Sequence, residues 1–385
     1  MTEIMHPFIG HSKLQTALGR ACHIGNLPSS LLIHGMPGVG KQHLALWIAQ
    51  VLLCQHKTPS GPCMACKSCV LSLRIKHPDL HWFFPVPRPK KARPDNLGEA
   101  LENARQDSLI DKRKNFLRPI SISSEPGGIY LATIKYLRSQ VYKRPSMGFS
   151  QVFIIGDAQG MVSRNSSSEA ANALLKILEE PPPNTFFIIT CDVLRQLPAT
   201  IISRTVAIHL AGIPTPEIKT FLLENLEIEE KEADKAARLS RGSIGRSLGF
   251  LKNEGNEGTL ELARQKSFHF LRACLQGNKT LIYQEALQLS GSSSRTLGPV
   301  IDSLGEALRD LALFILGDED KIINTDTLQF LENVCSKWTV HPLSITESFQ
   351  YLDQAKEQVN NNINPQLIIT SLLINIQEKL SASSK

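Results

Sequence analysis

Hydrophobic positions in the first two hundred residues come in two kinds of segment. Short apolar runs bounded by polar residues recur at Leu31-Leu32-Ile33-His34, at Val152 to Ile155 and at Phe186 to Thr190. They lack polar alternation, the pattern of strands buried on both faces of a parallel sheet. Helical stretches lie between them. One runs from Lys41 to Leu53 after a glycine-rich turn. Another is signalled by Ser166 with Glu169 three positions later, a capping-box pattern, and by Ala170, Leu174 and Leu178 at helical spacing. Pro181-Pro182-Pro183 ends it, because proline has no amide to donate and forces extended backbone before it. From about Ile213 the strand pattern stops. Pro214 to Leu251 reads as a small helical unit ending in Gly242-Ser243-Ile244-Gly245-Arg246, and residues 259–385 hold amphipathic helices such as Leu297 to Leu316 and Leu367 to Leu380. The pattern predicts an α/β core followed by all-helical segments.

Composition narrows the class. With 385 residues, of which 42% are hydrophobic and 20% charged, the chain can bury the cores of two or three domains, which excludes disordered and fibrous proteins. No apolar run reaches the ~18 residues of a membrane helix. Met1 to Gly10 lacks the charged-then-apolar order of a signal peptide, so a cytoplasmic location is expected. The net charge of +6 is concentrated: residues 88–118 hold nine Lys/Arg and five Asp/Glu, net +4, beside Pro85, Pro87, Pro89 and Pro94. That stretch reads as an exposed insertion or loop, with nucleic-acid contact as the alternative. No basic patch interleaved with aromatics stands out, which argues against a stand-alone nucleic-acid binder.

Gly35-Met36-Pro37-Gly38-Val39-Gly40-Lys41 fits G-x-x-x-x-G-K between a strand and a helix. Gly35, Gly38 and Gly40 let backbone amides face a phosphate, and Lys41 reaches the outer phosphates. The next residue in a working loop is Ser or Thr, whose hydroxyl ligates Mg²⁺; here it is Gln42. The strand Val152 to Ile155 should lead into an acidic residue for the metal shell, yet Gly156-Asp157 follows. These departures predict that ATP or ADP can still sit in the loop while hydrolysis is lost.

Eight cysteines divide evenly. Cys22, Cys191, Cys274 and Cys335 are scattered; Cys54, Cys63, Cys66 and Cys69 lie within sixteen residues. Two-residue spacers and a Gly61-Pro62 turn suit a closed tetrahedral zinc site of structural role. His56 and His77 are the alternative ligands for one position; an iron–sulfur cluster or metal-free thiols are the alternative states.

A phosphate loop followed by a four-cysteine module resembles the bacterial DNA polymerase III clamp-loader family of AAA+ proteins. So do Asn172-Ala173-Leu174-Leu175-Lys176-Ile177-Leu178-Glu179-Glu180-Pro181-Pro182, Ile202-Ser203-Arg204-Thr205 and Asn362-Ile363-Asn364-Pro365-Gln366-Leu367. The resemblance implies three parts: an AAA+ core over 1–211 with the zinc module at 54–69 and an insertion near 85–125, a helical lid over 212–256, and a helical collar over 257–385 that joins subunits. It implies a hetero-pentamer with gamma/tau and delta subunits, part of the polymerase holoenzyme, that uses ATP to load a sliding clamp onto primer-template DNA. Gln42 and Gly156 fit the delta-prime type, a stator with a degenerate phosphate site; the ATP-hydrolysing gamma/tau type is the alternative. Arg204 then corresponds to an arginine finger acting in trans, with Thr205 where the family has cysteine. Thr190 takes the sensor-1 place and Arg246 the sensor-2 place. A surface ion pair is the competing role for Arg204.

Overall fold

The computed structural model describes residues 6, 8–90, 93, 96–114, 117, 127–161, 169–252, 255–289, 293–361 and 363–381. Ser166, the expected helix cap, and Lys91, Pro94 and Arg118 of the basic stretch lie outside them. The chain divides into two compact units. One takes in the described residues up to Glu227 with Ser240–Gly245; the other takes Ile228–Leu239 and the described residues from Arg246 onward.

The first unit carries strands β1 (Ser30–His34), β2 (Leu80–Phe83), β3 (Val86–Pro87), β4 (Gly127–Gly128), β5 (Gln151–Ile155), β6 (Thr185–Cys191) and β7 (Val206–His209). Five of them form a parallel sheet in the order β2-β5-β6-β1-β7; β3 and β4 make a separate antiparallel pair. Its helices are α1 (Ser12–His23), α2 (Lys41–Leu53), α3 (Lys67–Leu73), α4 (Leu97–Lys114), α5 (Leu131–Val141), α6 (Glu169–Glu179), α7 (Ala199–Ile202) and α8 (Thr215–Asn225). Side chains alternate across the sheet, so one strand feeds two cores. Leu31, Ile33, Val152, Ile154 and Ile188 pack with α1 and α2 on one face. Leu32, Phe153, Ile155, Phe187 and Ile189 pack with α5 and α6 on the other. The three strand runs of the sequence are therefore buried on both faces. Because β1 sits between two strands that come late in the chain, its carboxyl end opens into the crevice where ligands of such sheets bind.

The basic stretch is only partly a loop. Residues 97–114 form α4, with Leu101, Arg105 and Leu109 buried. Arg105 donates to Trp82 O at 2.7 Å, pairs with Glu102 at 2.6 Å and lies 4.8 Å over the Phe83 ring. A buried arginine within a Leu97-Leu101-Leu109 stripe hides the helical period from a hydrophobicity reading.

The second unit is helical among its described residues: α9 (Glu230–Leu239), most of α10 (Ile244–Phe250), α11 (Thr259–Leu275), α12 (Lys279–Leu287), α13 (Gly298–Ile315), α14 (Leu328–Lys337), α15 (Pro342–Asn360) and α16 (Pro365–Ser381). No described helix is long and apolar enough to cross a membrane. Phe270, Leu271, Ile301, Leu304, Leu308 and Leu373 are fully buried in its core. A polar network runs beside that core. Arg264 bonds Glu261 at 2.8 Å, Asp326 at 2.8 Å and Asn324 at 3.1 Å, while Lys235 on α9 reaches Glu261 at 3.0 Å.

Burial by itself raises the Glu261 carboxyl pKa, but Arg264 and then Lys235 offset it and leave the value below the usual range. That stability is present above the ordinary glutamate range and is lost as pH falls through the lowered value. Arg264→Ala leaves a carboxylate that is 5% exposed with only the partly exposed Lys235 as its cation. It is expected to cost about 3–5 kcal/mol, measured as a lower unfolding midpoint in urea. A loss under about 0.5 kcal/mol would show the network to be inert.

Candidate functional site: a phosphate loop and a four-cysteine centre

The loop Gly35 to Lys41 leaves the carboxyl end of β1 and enters α2. Gly35 is required by close approach: a Cβ there would lie 2.3 Å from Leu210 O. Lys41 is 5% exposed. Its ammonium donates to Gly35 O at 2.8 Å, Met36 O at 2.9 Å and Asp192 Oδ1 at 2.7 Å. An ammonium has three donors, and all three are engaged. The loop's outer carbonyls are also bonded, Pro37 O by Ser243 Oγ at 2.8 Å and Gly38 O by Gly245 N at 3.0 Å.

Gln42 and Gly156, two separate departures in the sequence, form one fit in the structure. A Cβ on Gly156 would lie 3.0 Å from Gln42 Cδ, so the longer amide fills the space that a side chain at 156 would need. Gln42 Nε2 then donates to Asp157 Oδ2 at 2.6 Å. Asp157 N donates to Thr190 Oγ1 at 3.0 Å, so the Thr190 hydroxyl lies in the same network. Burial, and then the Asp192 charge, push the Asp157 carboxyl above its usual range. Asp192 and Gln159, which donates to Asp192 Oδ2 at 2.9 Å, were not legible from the sequence. An acid directly after the β6 run was the available signal. His34 and His209, paired across β1 and β7 with ring centroids 5.0 Å apart, were also missed. Burial, His209 and Lys41 together hold His34 below the usual histidine range.

Arg204 follows α7 on an exposed turn. Its guanidinium meets Glu179 Oε1 at 2.6 Å and Thr200 O at 3.0 Å. Arg246 bonds Glu306 Oε1 at 2.9 Å within the second unit.

The four clustered cysteines converge, with all four Sγ atoms within 4.8 Å of one another. Cys54–Cys66 and Cys63–Cys69 Sγ pairs stand at 4.0 and 3.9 Å. Sulfurs ~2.3 Å from one tetrahedral ion stand ~3.8 Å apart, so the cluster fits a metal ion. Met64, at φ 61°, turns the knuckle between Cys63 and Cys66. Backbone amides of Cys66 and Ala65 bring the Cys63 thiol down to about 6, whereas burial pushes the Cys54 and Cys69 thiols up. A cation is what lets all four ionise together. His77 is engaged elsewhere, with Nε2 3.2 Å from Ser68 Oγ and Nδ1 accepting from Asp79 N at 3.1 Å.

A parallel sheet with a phosphate loop at its crevice, a four-cysteine cluster between the next two helices and an all-helical C-terminal part define an AAA+ protein with a four-cysteine module. More narrowly, residues 10–214 match the family described as DNA polymerase III, delta subunit, and the chain belongs to this clamp-loader family. It is 25% identical to the DNA polymerase III subunit tau/gamma of Haemophilus influenzae, over 92% of this chain and 46% of that protein. It therefore spans about half of that relative's length. Identity is 24% to subunit delta' of Bacillus subtilis, over 91% of this chain and 92% of that one. With subunit delta' of Yersinia pestis it is 30%, over 51% and 44%.

Proposed function

We propose that this chain is a delta-prime-type clamp-loader subunit, a stator that does not hydrolyse ATP. In this reading the core (1–211), lid (212–256) and collar (257–385) place it in a cytoplasmic hetero-pentamer with gamma/tau and delta subunits. The complex loads a sliding clamp onto primer-template DNA during replication, and Arg204 acts on ATP held by a neighbour. The cysteine cluster holds structural zinc.

The observation that carries the reading is the fit of Gln42 against Gly156. The amide stands where a working site needs a hydroxyl ligand, bonds Asp157 at 2.6 Å, and leaves no acidic side chain at position 156 for a metal shell. Lys41 adds to it, because a phosphate must first compete with Asp192 for the ammonium. ATP or ADP can still bind, but both Mg²⁺ contacts are missing. The purified chain is expected to show no Mg²⁺-dependent ATP turnover above the Lys41→Ala variant. Turnover that disappears on Lys41→Ala would establish the gamma/tau type instead, a type to which the chain is also similar over 92% of its length.

A further inference from the structure

Strands β1 and β7 are neighbours in the parallel sheet, and their register sets His34 directly beside His209. The two ring centroids are 5.0 Å apart and the ring planes are tilted by 39°. Aromatic attraction does not account for that tilt, because ring pairs favour offset stacks or edge-to-face crossings. Hydrogen bonding does not account for it either. Among the described residues neither imidazole has a hydrogen-bond or ion-pair partner. Other histidines of the same unit are engaged: His43 Nε2 lies 2.5 Å from His6 O, and His77 Nε2 lies 3.2 Å from Ser68 Oγ. His34 is half-buried and His209 exposed, so the pair is open to solvent.

A zinc ion ~2.0–2.1 Å from a ligating ring nitrogen lies ~3.2 Å from the ring centroid. Two imidazoles on one such ion have centroids ~5.2 Å apart at the tetrahedral angle and ~4.5 Å apart at a right angle. The separation of 5.0 Å falls between these, nearer the tetrahedral value. Neutral imidazole is the ligating form, and burial, with the His209 and Lys41 charges, holds His34 below the usual histidine range. Lys41 is itself paired with Asp192 at 2.7 Å, which limits its repulsion of a metal ion. Cys191 stands in register on the other side of His34 but is fully buried. Among the described residues the four clustered cysteines are the only group of three or more metal-binding side chains, so water would complete the shell at the histidines.

We propose that His34 and His209 form a second metal site, a two-histidine clip for a divalent ion of the zinc type, separate from the four-cysteine centre. Mg²⁺ and Ca²⁺, which seek oxygen ligands, are not suited to it. Strand β7 is the sheet edge and follows the turn that carries Arg204, while β1 runs into the phosphate loop at Gly35. An ion held by both histidines would pin that edge strand to the strand that carries the loop. The site needs neither nucleotide nor partner subunit, so it stands apart from the clamp-loader reading. The test is calorimetric titration of ZnCl₂ into the full chain, with bound zinc counted before and after. One saturable site is expected beyond the four-cysteine equivalent. His209→Asn is expected to weaken it about tenfold or more, because a lone imidazole loses the advantage of a second ligand already in place. His34→Asn should do the same, and the double variant should be no weaker than either single one. His23→Asn, an exposed histidine outside the pair, should leave it unchanged. His209 is exposed, so its variant decides the matter even if His34→Asn fails to fold. Binding that survives His209→Asn, or no saturable event beyond the cysteine equivalent, would overturn the proposal. A chain that holds no cysteine-bound zinc would sink the four-cysteine reading alone, because dependence on His209 would still be read.

Discussion

In a clamp-loader complex reassembled from purified subunits, Arg204→Ala is expected to lower ATP turnover about 10³-fold or more while the complex still forms. A guanidinium that reaches the γ-phosphate of a neighbour stabilises charge that develops only in the transition state, so its loss falls on turnover rather than assembly. Arg204 is exposed on the turn after α7, held by Glu179 at 2.6 Å and the Thr200 carbonyl at 3.0 Å. Both partners of the ion pair are more than one-third exposed, and such pairs are worth about 0–1 kcal/mol. Releasing Glu179 to extend toward a neighbouring subunit is therefore cheap compared with the catalytic gain.

The same contact supplies the discriminating control. If Arg204 only pairs with Glu179, then Glu179→Ala and Arg204→Ala should behave alike. In the finger role Glu179→Ala leaves turnover within about twofold of the wild type. Arg204→Lys, which keeps the charge but loses the planar fork, recovers only a small part of it. Wild-type turnover in the Arg204→Ala complex would remove the finger role.

The sequence was most legible where one physical signal acted alone. Apolar runs buried on both faces announced β1, β5 and β6, and the proline triplet announced the end of α6. It was least legible where two signals opposed each other. His81 interrupts the short run of β2 and stacks on Phe153 at 4.7 Å, so the strand lacks a clean apolar pattern. Val206, Ala207 and His209 of β7 are exposed on the sheet edge, so no hydrophobic signal marks it. Arg105 broke the stripe of α4 in the same way. At the site, glycines and cysteines were readable because spacing alone carries their chemistry. The partners Asp192 and Gln159 were not, because Asp192 meets Lys41 only through the parallel order of β1 and β6, and Gln159 joins them only by bonding Asp192. Nor could two positions more than a hundred residues apart, Gln42 and Gly156, reveal that one fills the space the other leaves.

Protein purified without added metal is expected to carry about one zinc per chain, and Cys69→Ser is expected to lose it together with the order of the 54–69 module. Cys54 lies at the carboxyl end of α2 and Cys69 in the first turn of α3, so one ion would tie the two helices together. Gly61, between them, approaches Trp47: a Cβ there would stand 3.1 Å from Trp47 Cζ2. Trp47 is 8% exposed. Release of the metal should open this contact and shift tryptophan emission to the red, a signal absent from a site that is merely decorative. Structural zinc supplies roughly 10–16 kcal/mol in isolated finger peptides. Here α3 also packs directly on α2, so the ion is not the sole tie between them and only part of that energy is expected as stability of the first unit. Strong chelation and Cys69→Ser should therefore lower the unfolding midpoint by similar amounts, and chelation should do nothing further to the variant. Fewer than about 0.5 equivalents of zinc, or a chelator effect that persists in Cys69→Ser, would contradict a structural zinc site.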